Sequence, residues 1–158
     1  MSVAGEPVWK RPAVVVHTTC LVSSLKRWTG RDLVSGVEDP LDLARRIYLA
    51  PFVVVSHGTE RDPLLNYGNA AALKLWEMGW DQLLGTPSRF TAEAPDRKER
   101  ARLLEAVTRH GYIDDYSGVR ISSTGRRFRI SGATVWNLVT SSGHPCGQAA
   151  MFHQWEPL

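Results

Sequence analysis

The final third of the chain carries the pattern that most restricts its fold: three strand-like stretches joined by two short turns. Strands are predicted over residues 112–122, 127–140 and 148–155. Between them lie Ser123–Gly125 and Ser141–Gly143, and short clusters of serine and glycine favour turns. Three strands joined by such short connections predict an antiparallel meander.

An earlier pair of strands and the helices after it complete the predicted core. Residues 52–56 are rich in β-branched side chains, and residues 64–68 form a second short strand, so the two predict a hairpin. Helices are predicted over residues 70–78 and 96–110, each followed by a glycine that favours a helix end. The order predicts an α+β fold with a five-stranded antiparallel sheet and helices on one face.

Two further helices are expected before this core. Residues 1–12 contain two prolines and no apolar period, which predicts a flexible lead. Residues 13–50 are predicted to hold two leading helices, one over 18–28 and one that begins at Pro40. Residues 51–158 then form the core of a single domain.

Composition agrees with one globular domain. The chain has 158 residues, of which 43% are hydrophobic and 22% charged, and both fractions are ordinary for a folded protein. No apolar run approaches the roughly 20 residues that a membrane helix needs. Two cysteines cannot supply a disulfide framework. A soluble, cytoplasmic protein that does not contact membranes is therefore expected.

Catalytic and metal-binding motifs are sparse in this sequence. The five histidines are scattered, and Cys-x-x-Cys, Gly-x-Ser-x-Gly and phosphate-loop patterns do not occur. A binding module without catalysis or a metal is the first hypothesis. The alternative is a small enzyme in which Asp114, His57 and Arg89 serve as acid, base or anion holder.

Basic residues cluster in two places, the first half of the long predicted helix and the hairpin near residue 125. The helix cluster is Arg97, Lys98, Arg100 and Arg102. Glu99 and Glu105 interleave with it, and no helix-turn-helix or aromatic strand motif for nucleic acid accompanies it. Both clusters are therefore interpreted as solvated faces, and no nucleic acid partner is expected.

Several different short motifs occur one after another along most of the chain. They are Trp28-Thr-Gly-Arg-Asp-Leu33, Ala50-Pro-Phe-Val-Val-Val-Ser-His-Gly-Thr-Glu60, Asn66-Tyr-Gly-Asn69, Pro87-Ser-Arg-Phe90, Gly125-Arg-Arg-Phe128, Val135-Trp-Asn-Leu138 and Gly147-Gln-Ala-Ala150. Together they resemble the MEKHLA domain family, which is similar to PAS domains. The resemblance implies a PAS-like fold, in agreement with the order of strands and helices above.

Part of the chain also resembles LOV domains, the light-sensing branch of PAS. Residues 85–90 lie where LOV domains carry Gly-Arg-Asn-Cys-Arg-Phe. Ser88 then takes the place of the flavin-attacking cysteine, and Pro87 that of a flavin-binding asparagine. Because a hydroxyl does not readily replace a thiol, no flavin adduct is expected. The cofactor stays open, haem included, since haem needs only one axial histidine.

The resemblance implies a sensory or signalling module with a ligand pocket between the sheet and the helices that cross it. The candidate ligand-binding residues are Asn66, Asn69, Trp76, Ser88, Arg89, Phe90, Tyr116, Arg120 and Gln148. Asn69 is also a candidate helix N-cap, and Arg89 has Asp62 or Asp114 as an alternative partner. The expected partners are an unidentified small molecule and a second copy of the chain, bound through the N-terminal helices.

Overall fold

The computed structural model describes residues 5–158. Its centre is a six-stranded antiparallel sheet with the order β2-β1-β5-β4-β3, and β6 pairs with β4 beside β5. The strands are β1 (Val53–His57), β2 (Leu65–Gly68), β3 (Tyr112–Ile121), β4 (Arg127–Val139), β5 (Pro145–Phe152) and β6 (Gln154–Pro157). The hairpin and the meander predicted from the sequence are both present.

Within residues 5–158, five α-helices and two 3₁₀ turns surround the sheet. The helices are α1 (Pro12–Thr29), α2 (Pro40–Tyr48), α3 (Ala70–Trp76), α4 (Trp80–Leu83) and α5 (Ala94–His110), and the 3₁₀ turns are Val8–Lys10 and Ser88–Thr91. Residues 1–4 of the predicted lead lie outside the described residues. The rest of the lead holds the first 3₁₀ turn and the start of α1.

The first helix is longer than the sequence pattern predicts. It begins at Pro12, where the fixed φ of proline suits the first helical turn. It ends at Gly30, whose φ of 73° is the left-handed conformation that glycine adopts readily at a helix end. The helix therefore also includes the β-branched residues before residue 18, where the sequence predicted none. Burial of Val14 and Thr18 against the rest of the domain stabilises this extra part.

The last predicted strand is two strands rather than one. Strand β5 pairs with the second half of β4, and β6 pairs with its first half, over Phe128–Ser131. Gly132 lies between these halves with a φ of 63°, so β4 bends there. The chain follows this bend at His153, which separates β5 from β6.

Helices cover both faces of the sheet. On one face, Leu21 and Leu25 of α1 pack with Val54 and Trp136. On the opposite face lie α3 and α5, whose apolar residues pack on the alternate positions of the same strands. The core helices α3 and α5 lie on one face as expected, while the leading helices occupy the other, where Trp80 of α4 also packs. Within residues 5–158, no helix is long and apolar enough to cross a membrane.

Candidate functional site

A small cavity lies between the sheet and helices α3 and α5. Its volume is about 60 Å³. A single buried water needs about 10–15 Å³, and a drug-sized ligand about 300 Å³ or more, so the space suits a molecule of a few heavy atoms. The wall is formed by Val55, Ser56, His57, Leu65, Trp76, Thr91, Arg100, Leu103, Leu104, Tyr116, Arg120, Ile130, Val135, Gln148, Ala149, Ala150 and Phe152.

Most of this wall is apolar because of strand and helix periodicity. Val55 of β1, Val135 of β4 and Phe152 of β5 belong to the strand positions that face α3 and α5. Leu103 and Leu104 add the inner face of α5. The polar groups in the wall are therefore few, and each of them needs a partner in this dry setting.

His57 is a buried polar residue at the end of β1. The strand register shifts between Ser56 and His57, and the His57 side chain is 8% exposed. Its Nδ1 lies 2.9 Å from the carbonyl oxygen of Gly58, to which an Nδ1–H donates. Nε2 is then the acceptor, and it has no hydrogen-bond partner among the described residues. Burial, the largest cause, lowers the pKa of His57, so the ring is neutral near pH 7.

Trp76 closes the end of the cavity formed by α3. Its ring packs edge-on against Phe128 and Phe152, with ring centroids 5.3 and 6.2 Å away. The side chain is 3% exposed, and its Nε1–H has no hydrogen-bond acceptor within residues 5–158. The cavity wall thus contains an unsatisfied acceptor on His57 and an unsatisfied donor on Trp76.

Two arginines reach the same cavity from different elements. Arg120 of β3 is 6% exposed, and its Nη2 donates to the Tyr116 hydroxyl at 3.1 Å. Arg100 of α5 is partly buried, and its Nη2 donates to the Ser88 hydroxyl at 2.8 Å. Both guanidinium groups are held by neutral oxygens.

Four of the nine candidate ligand-binding residues line the cavity, namely Trp76, Tyr116, Arg120 and Gln148. Gln148 also has a structural role. Its amide nitrogen lies 3.0 Å from the carbonyl oxygen of Leu104 and 3.0 Å from the side-chain oxygen of Asn137. Gln148 therefore ties β5 to α5 and β4 as well as facing the cavity.

Two asparagines among the candidates lie elsewhere. Asn66 accepts a hydrogen bond from the Ser56 hydroxyl at 2.6 Å, and that hydroxyl also contacts His17 of α1, on the other face of the sheet. Asn69 is fully buried as the N-cap of α3, where its side chain makes four hydrogen bonds to the backbone. Asn69 therefore has no polar atom left for a ligand, and neither asparagine lines the cavity.

The other three candidates flank the cavity from outside. Ser88 is buried beside it and accepts the hydrogen bond from Arg100. Arg89 is exposed and pairs with Asp62, with Nε 3.2 Å from the carboxylate, which is one of its two alternative partners from the sequence. Phe90 is 45% exposed and stacks under the Arg89 guanidinium. The side chains of Arg89 and Phe90 turn outward together.

Of the residues in the enzyme hypothesis, His57 alone lines the cavity. Asp114 is exposed, pairs with Arg31 at 2.9 Å and accepts a hydrogen bond from Thr134. These partners hold the pKa of Asp114 below its ordinary value in spite of partial burial, which acts in the opposite direction. Asp114 and Arg89 are therefore ion-paired surface groups away from His57.

Arg100 is the charged residue of the cavity wall that the sequence interpretation missed. Interpreted as part of a solvated helix face, it instead turns inward, and its guanidinium reaches Ser88. The signal was present in the spacing, because Arg100 precedes Leu103, Leu104 and Val107 by three, four and seven residues. Those positions form one helical face, and the two leucines and the valine on it pack inward.

The cavity does not fit the larger cofactors. At about 60 Å³ it is far smaller than the several hundred Å³ that a flavin ring system or a haem requires. The Ser88 hydroxyl, at the position of the LOV cysteine, is 1% exposed and occupied by Arg100. Within residues 5–158, no group of three metal-ligating side chains comes together.

Solved structures with a similar arrangement are PAS and LOV domains. A PAS domain from Colwellia psychrerythraea has a TM-score of 0.60 at 12% identity, with 74% of this chain and 94% of that chain covered. An RNA-binding light-oxygen-voltage receptor has a TM-score of 0.65 at 21% identity, with 78% of this chain and 36% of that chain covered. A PAS domain of a LuxR-family transcriptional regulator from Burkholderia thailandensis, in complex with ethanol, has a TM-score of 0.52 at 20% identity, with 72% of this chain and 95% of that chain covered.

The fold is therefore that of the PAS and LOV class of sensory domains. The family model of the MEKHLA domain matches residues 15–157. This chain belongs to the MEKHLA domain family, as its ordered motifs indicated. No curated protein has a sequence that matches it.

Proposed function

We propose that the chain is a sensory module that binds a small molecule in the cavity between its sheet and helices α3 and α5. One observation carries the proposal: two residues that line the cavity, His57 and Trp76, each carry a buried polar atom, Nε2 and Nε1, that has no hydrogen-bond partner within the described residues. A buried polar atom without a partner costs roughly 1–3 kcal/mol. A bound molecule that satisfies either atom recovers part of that cost.

The size of the cavity limits the ligand to a few heavy atoms. The PAS domain from Burkholderia thailandensis, similar in fold, was solved with ethanol, a molecule of this size. At 20% identity the likeness supports the fold rather than the ligand. It nevertheless agrees with a fold that accepts very small molecules.

Strand β1 connects the cavity with the leading helices. His57 lines the cavity, while the neighbouring Ser56 hydroxyl contacts His17 of α1 at 2.9 Å on the other face. A change in the position of β1 on ligand binding therefore alters the contact between β1 and α1. This supports protein contacts through the leading helices as the output of the module.

A homodimer through these helices, in the cytoplasm, stays a prediction. It is supported by three large apolar side chains exposed to solvent, Val16 of α1, Leu41 of α2 and Leu49 directly after α2, which are 71%, 44% and 57% exposed. Isolated exposed apolar residues are common, but a group on one pair of helices favours a contact surface. The enzyme alternative has weaker support, because neither Asp114 nor Arg89, the other two residues of that hypothesis, lines the cavity with His57.

The proposal is tested by NMR of the full chain labelled with ¹⁵N-tryptophan. The indole N–H of Trp76 is titrated with a panel of two- and three-carbon probes: ethanol, propan-1-ol, propionate and propylamine. At least one probe is expected to shift this resonance in a saturable way. The Trp9 indole, outside the cavity, serves as the internal reference.

A cavity-filling variant gives the control. Ala150→Leu adds three carbons inside the cavity wall and is expected to abolish the saturable shift. Ala101→Leu makes the same change on the exposed side of α5 and is expected to leave it unchanged. Equal responses of the wild type and Ala150→Leu, or no response to any probe, would refute the proposed function.

A further inference from the structure

Two positively charged side chains share one small, mostly apolar cavity. Arg100 projects from α5 and Arg120 from β3, so they approach it from opposite layers of the domain. Arginine stays charged under all ordinary conditions. The cavity wall therefore carries two positive charges in a volume of about 60 Å³.

Neither charge is neutralised within the described residues. No carboxylate oxygen lies within 4 Å of either guanidinium in residues 5–158, whereas surface arginines such as Arg31 and Arg89 have acidic partners. Arg120 donates to the Val119 carbonyl at 2.8 Å and to the Tyr116 hydroxyl at 3.1 Å. The hydrogen bonds that the structure assigns to both residues thus end on neutral oxygens.

Glu99 is linked to this pair through a hydrogen bond to Tyr116. Its carboxylate accepts a hydrogen bond from the Tyr116 hydroxyl at 2.9 Å, and that hydroxyl accepts one from the Arg120 guanidinium. Glu99 is exposed and therefore compensates the cavity charge only through an intervening phenol. Solvent screens an exposed carboxylate, so Glu99 is not a direct counter-ion for either arginine.

The electrostatic consequence is visible on Arg100. Burial, and after it the charge of Arg120, lower the pKa of Arg100 to about 10. Charges buried without a counter-ion are costly, so proteins almost always pair them. An anion in the cavity would supply the missing partner to both arginines at once.

We propose that the cavity binds a short-chain carboxylate, with its carboxylate between Arg100 and Arg120 and its hydrocarbon part against Leu103, Val135 and Phe152. The inference rests on the proposed function and names the chemical class of its ligand. A guanidinium donates two parallel hydrogen bonds to a carboxylate, and such charge-assisted pairs are about twice as strong as neutral ones. The apolar remainder of the wall favours an alkyl chain over a second charge.

The volume and the wall together select the length of the ligand. Acetate, propionate and butyrate have only a few heavy atoms, as a space of about 60 Å³ requires. A dicarboxylate would place its second charge among apolar side chains, where desolvation is costly. The expected order of affinity therefore places propionate above succinate.

The test is calorimetric titration of the full chain with propionate, propan-1-ol, succinate and sodium chloride at constant ionic strength. Propionate is expected to bind, and the other three to bind at least about tenfold more weakly, since each lacks the charge or the matching apolar chain. Arg100→Gln and Arg120→Gln are each expected to weaken propionate binding at least about tenfold. Arg102→Gln and Arg129→Gln, which change exposed arginines on the same two layers, are the matched controls.

Thermal unfolding shows that the variants fold. Arg100→Gln removes a buried charge without a counter-ion, so in the absence of ligand its midpoint is expected to equal or exceed that of the wild type. Addition of propionate then raises the midpoint of the wild type and of both controls, but not that of the two cavity variants.

The outcomes separate this inference from the proposed function. If propan-1-ol binds as well as propionate and the arginine variants bind both normally, the cavity is a ligand site and the carboxylate inference is overturned. If chloride binds as tightly as propionate, the site is one for inorganic anions, and the inference is again overturned. If propionate binding is unchanged in Ala150→Leu, propionate binds outside the cavity and the carboxylate inference is wrong. The proposed function is refuted as well only if the Trp76 resonance responds to no probe, or responds equally in Ala150→Leu.

Discussion

The side-chain oxygen of Asn69 accepts a hydrogen bond from the backbone N–H of Val54 at 3.0 Å. The same oxygen caps α3 through the N–H of Ala72, and the amide nitrogen donates to the carbonyl oxygens of Ile47 and Phe52. One fully buried side chain therefore fastens the end of α2, the start of β1 and the first turn of α3. These segments hold the wall of the cavity in place.

Replacement of Asn69 by alanine is expected to lower the free energy of unfolding by at least about 3 kcal/mol, because several buried backbone groups lose their partners. The exposed N-cap Asp39 gives a matched comparison, and Asp39→Ala is expected to cost only about 1 kcal/mol. Urea denaturation followed by circular dichroism measures both. Similar costs for the two variants would show that Asn69 acts as an ordinary cap.

His17 makes the stability of the protein depend on pH. Burial lowers its pKa from 6.5 to about 4. The unfolded chain then binds more protons than the folded one between these two values. Stability from the neutral ring is fully present above pH 6.5 and is lost as the pH falls toward 4, by up to about 1.4 kcal/mol per pH unit.

A His17→Gln variant isolates this contribution. Glutamine keeps a donor for the Ser56 hydroxyl, which lies 2.9 Å from His17 Nε2, but it does not titrate. The difference in unfolding free energy between wild type and variant is expected to shrink or change sign between pH 6.5 and 4. A constant difference across this range would contradict the account, since His57 and the carboxyl groups titrate in both proteins.

Cys20 and Cys146 are poised to form a disulfide. Their sulfur atoms are 3.6 Å apart, and together they join α1 to β5. Oxidation with diamide, which takes up the two electrons and two protons released by the thiols, is expected to link them within one chain. The reaction should accelerate at high pH, because burial raises the pKa of Cys146 to about 11.

The linked protein is expected to be more stable by about 2–4 kcal/mol, since the bridge closes a long loop. Intact mass spectrometry and iodoacetamide labelling count the remaining thiols, and Cys20→Ser is the control that cannot close the loop. Only intermolecular disulfides, or two thiols that remain reactive, would show that the two sulfurs do not meet.

The predicted homodimer is tested on the outer face of α1. Val16 is 71% exposed there, so Val16→Asp leaves the packing of Leu21 and Leu25 untouched. Light scattering is expected to give twice 17.6 kDa for the wild type and 17.6 kDa for the variant. A wild-type mass of 17.6 kDa at high concentration contradicts a dimer, and a dimeric variant contradicts this surface.

The sequence predicted those features that depend on local chemistry. The turns around Gly125 and Gly143, the helix cap at Asn69 and the hairpin of β1 and β2 all follow from side chains near in sequence. The apolar stripe of α1 likewise predicted a buried face. The stripe did not predict which surface covers that face, because Leu21 of α1 contacts Trp136 of β4, more than 100 positions away in the sequence.

The candidate site was harder for the same reason. Arg100 belongs to a cluster in which most members are solvated, and charge counting assigned that cluster to the surface, whereas Arg120 was a candidate ligand-binding residue only because of the family resemblance. Helical spacing would have separated Arg100 from Arg97 and Arg102, since it alone shares a face with Leu103 and Val107. That Arg100 and Arg120 meet at one cavity depends on how α5 packs on β3, which no local pattern contains.

A crystal structure of the full chain soaked with propionate tests the central claim most directly. The expected result is density for one carboxylate inside the cavity, within hydrogen-bond distance of both Arg100 and Arg120, with the alkyl chain toward Phe152. Propionate bound only on the surface, with the cavity filled by side chains or water alone, would contradict the account.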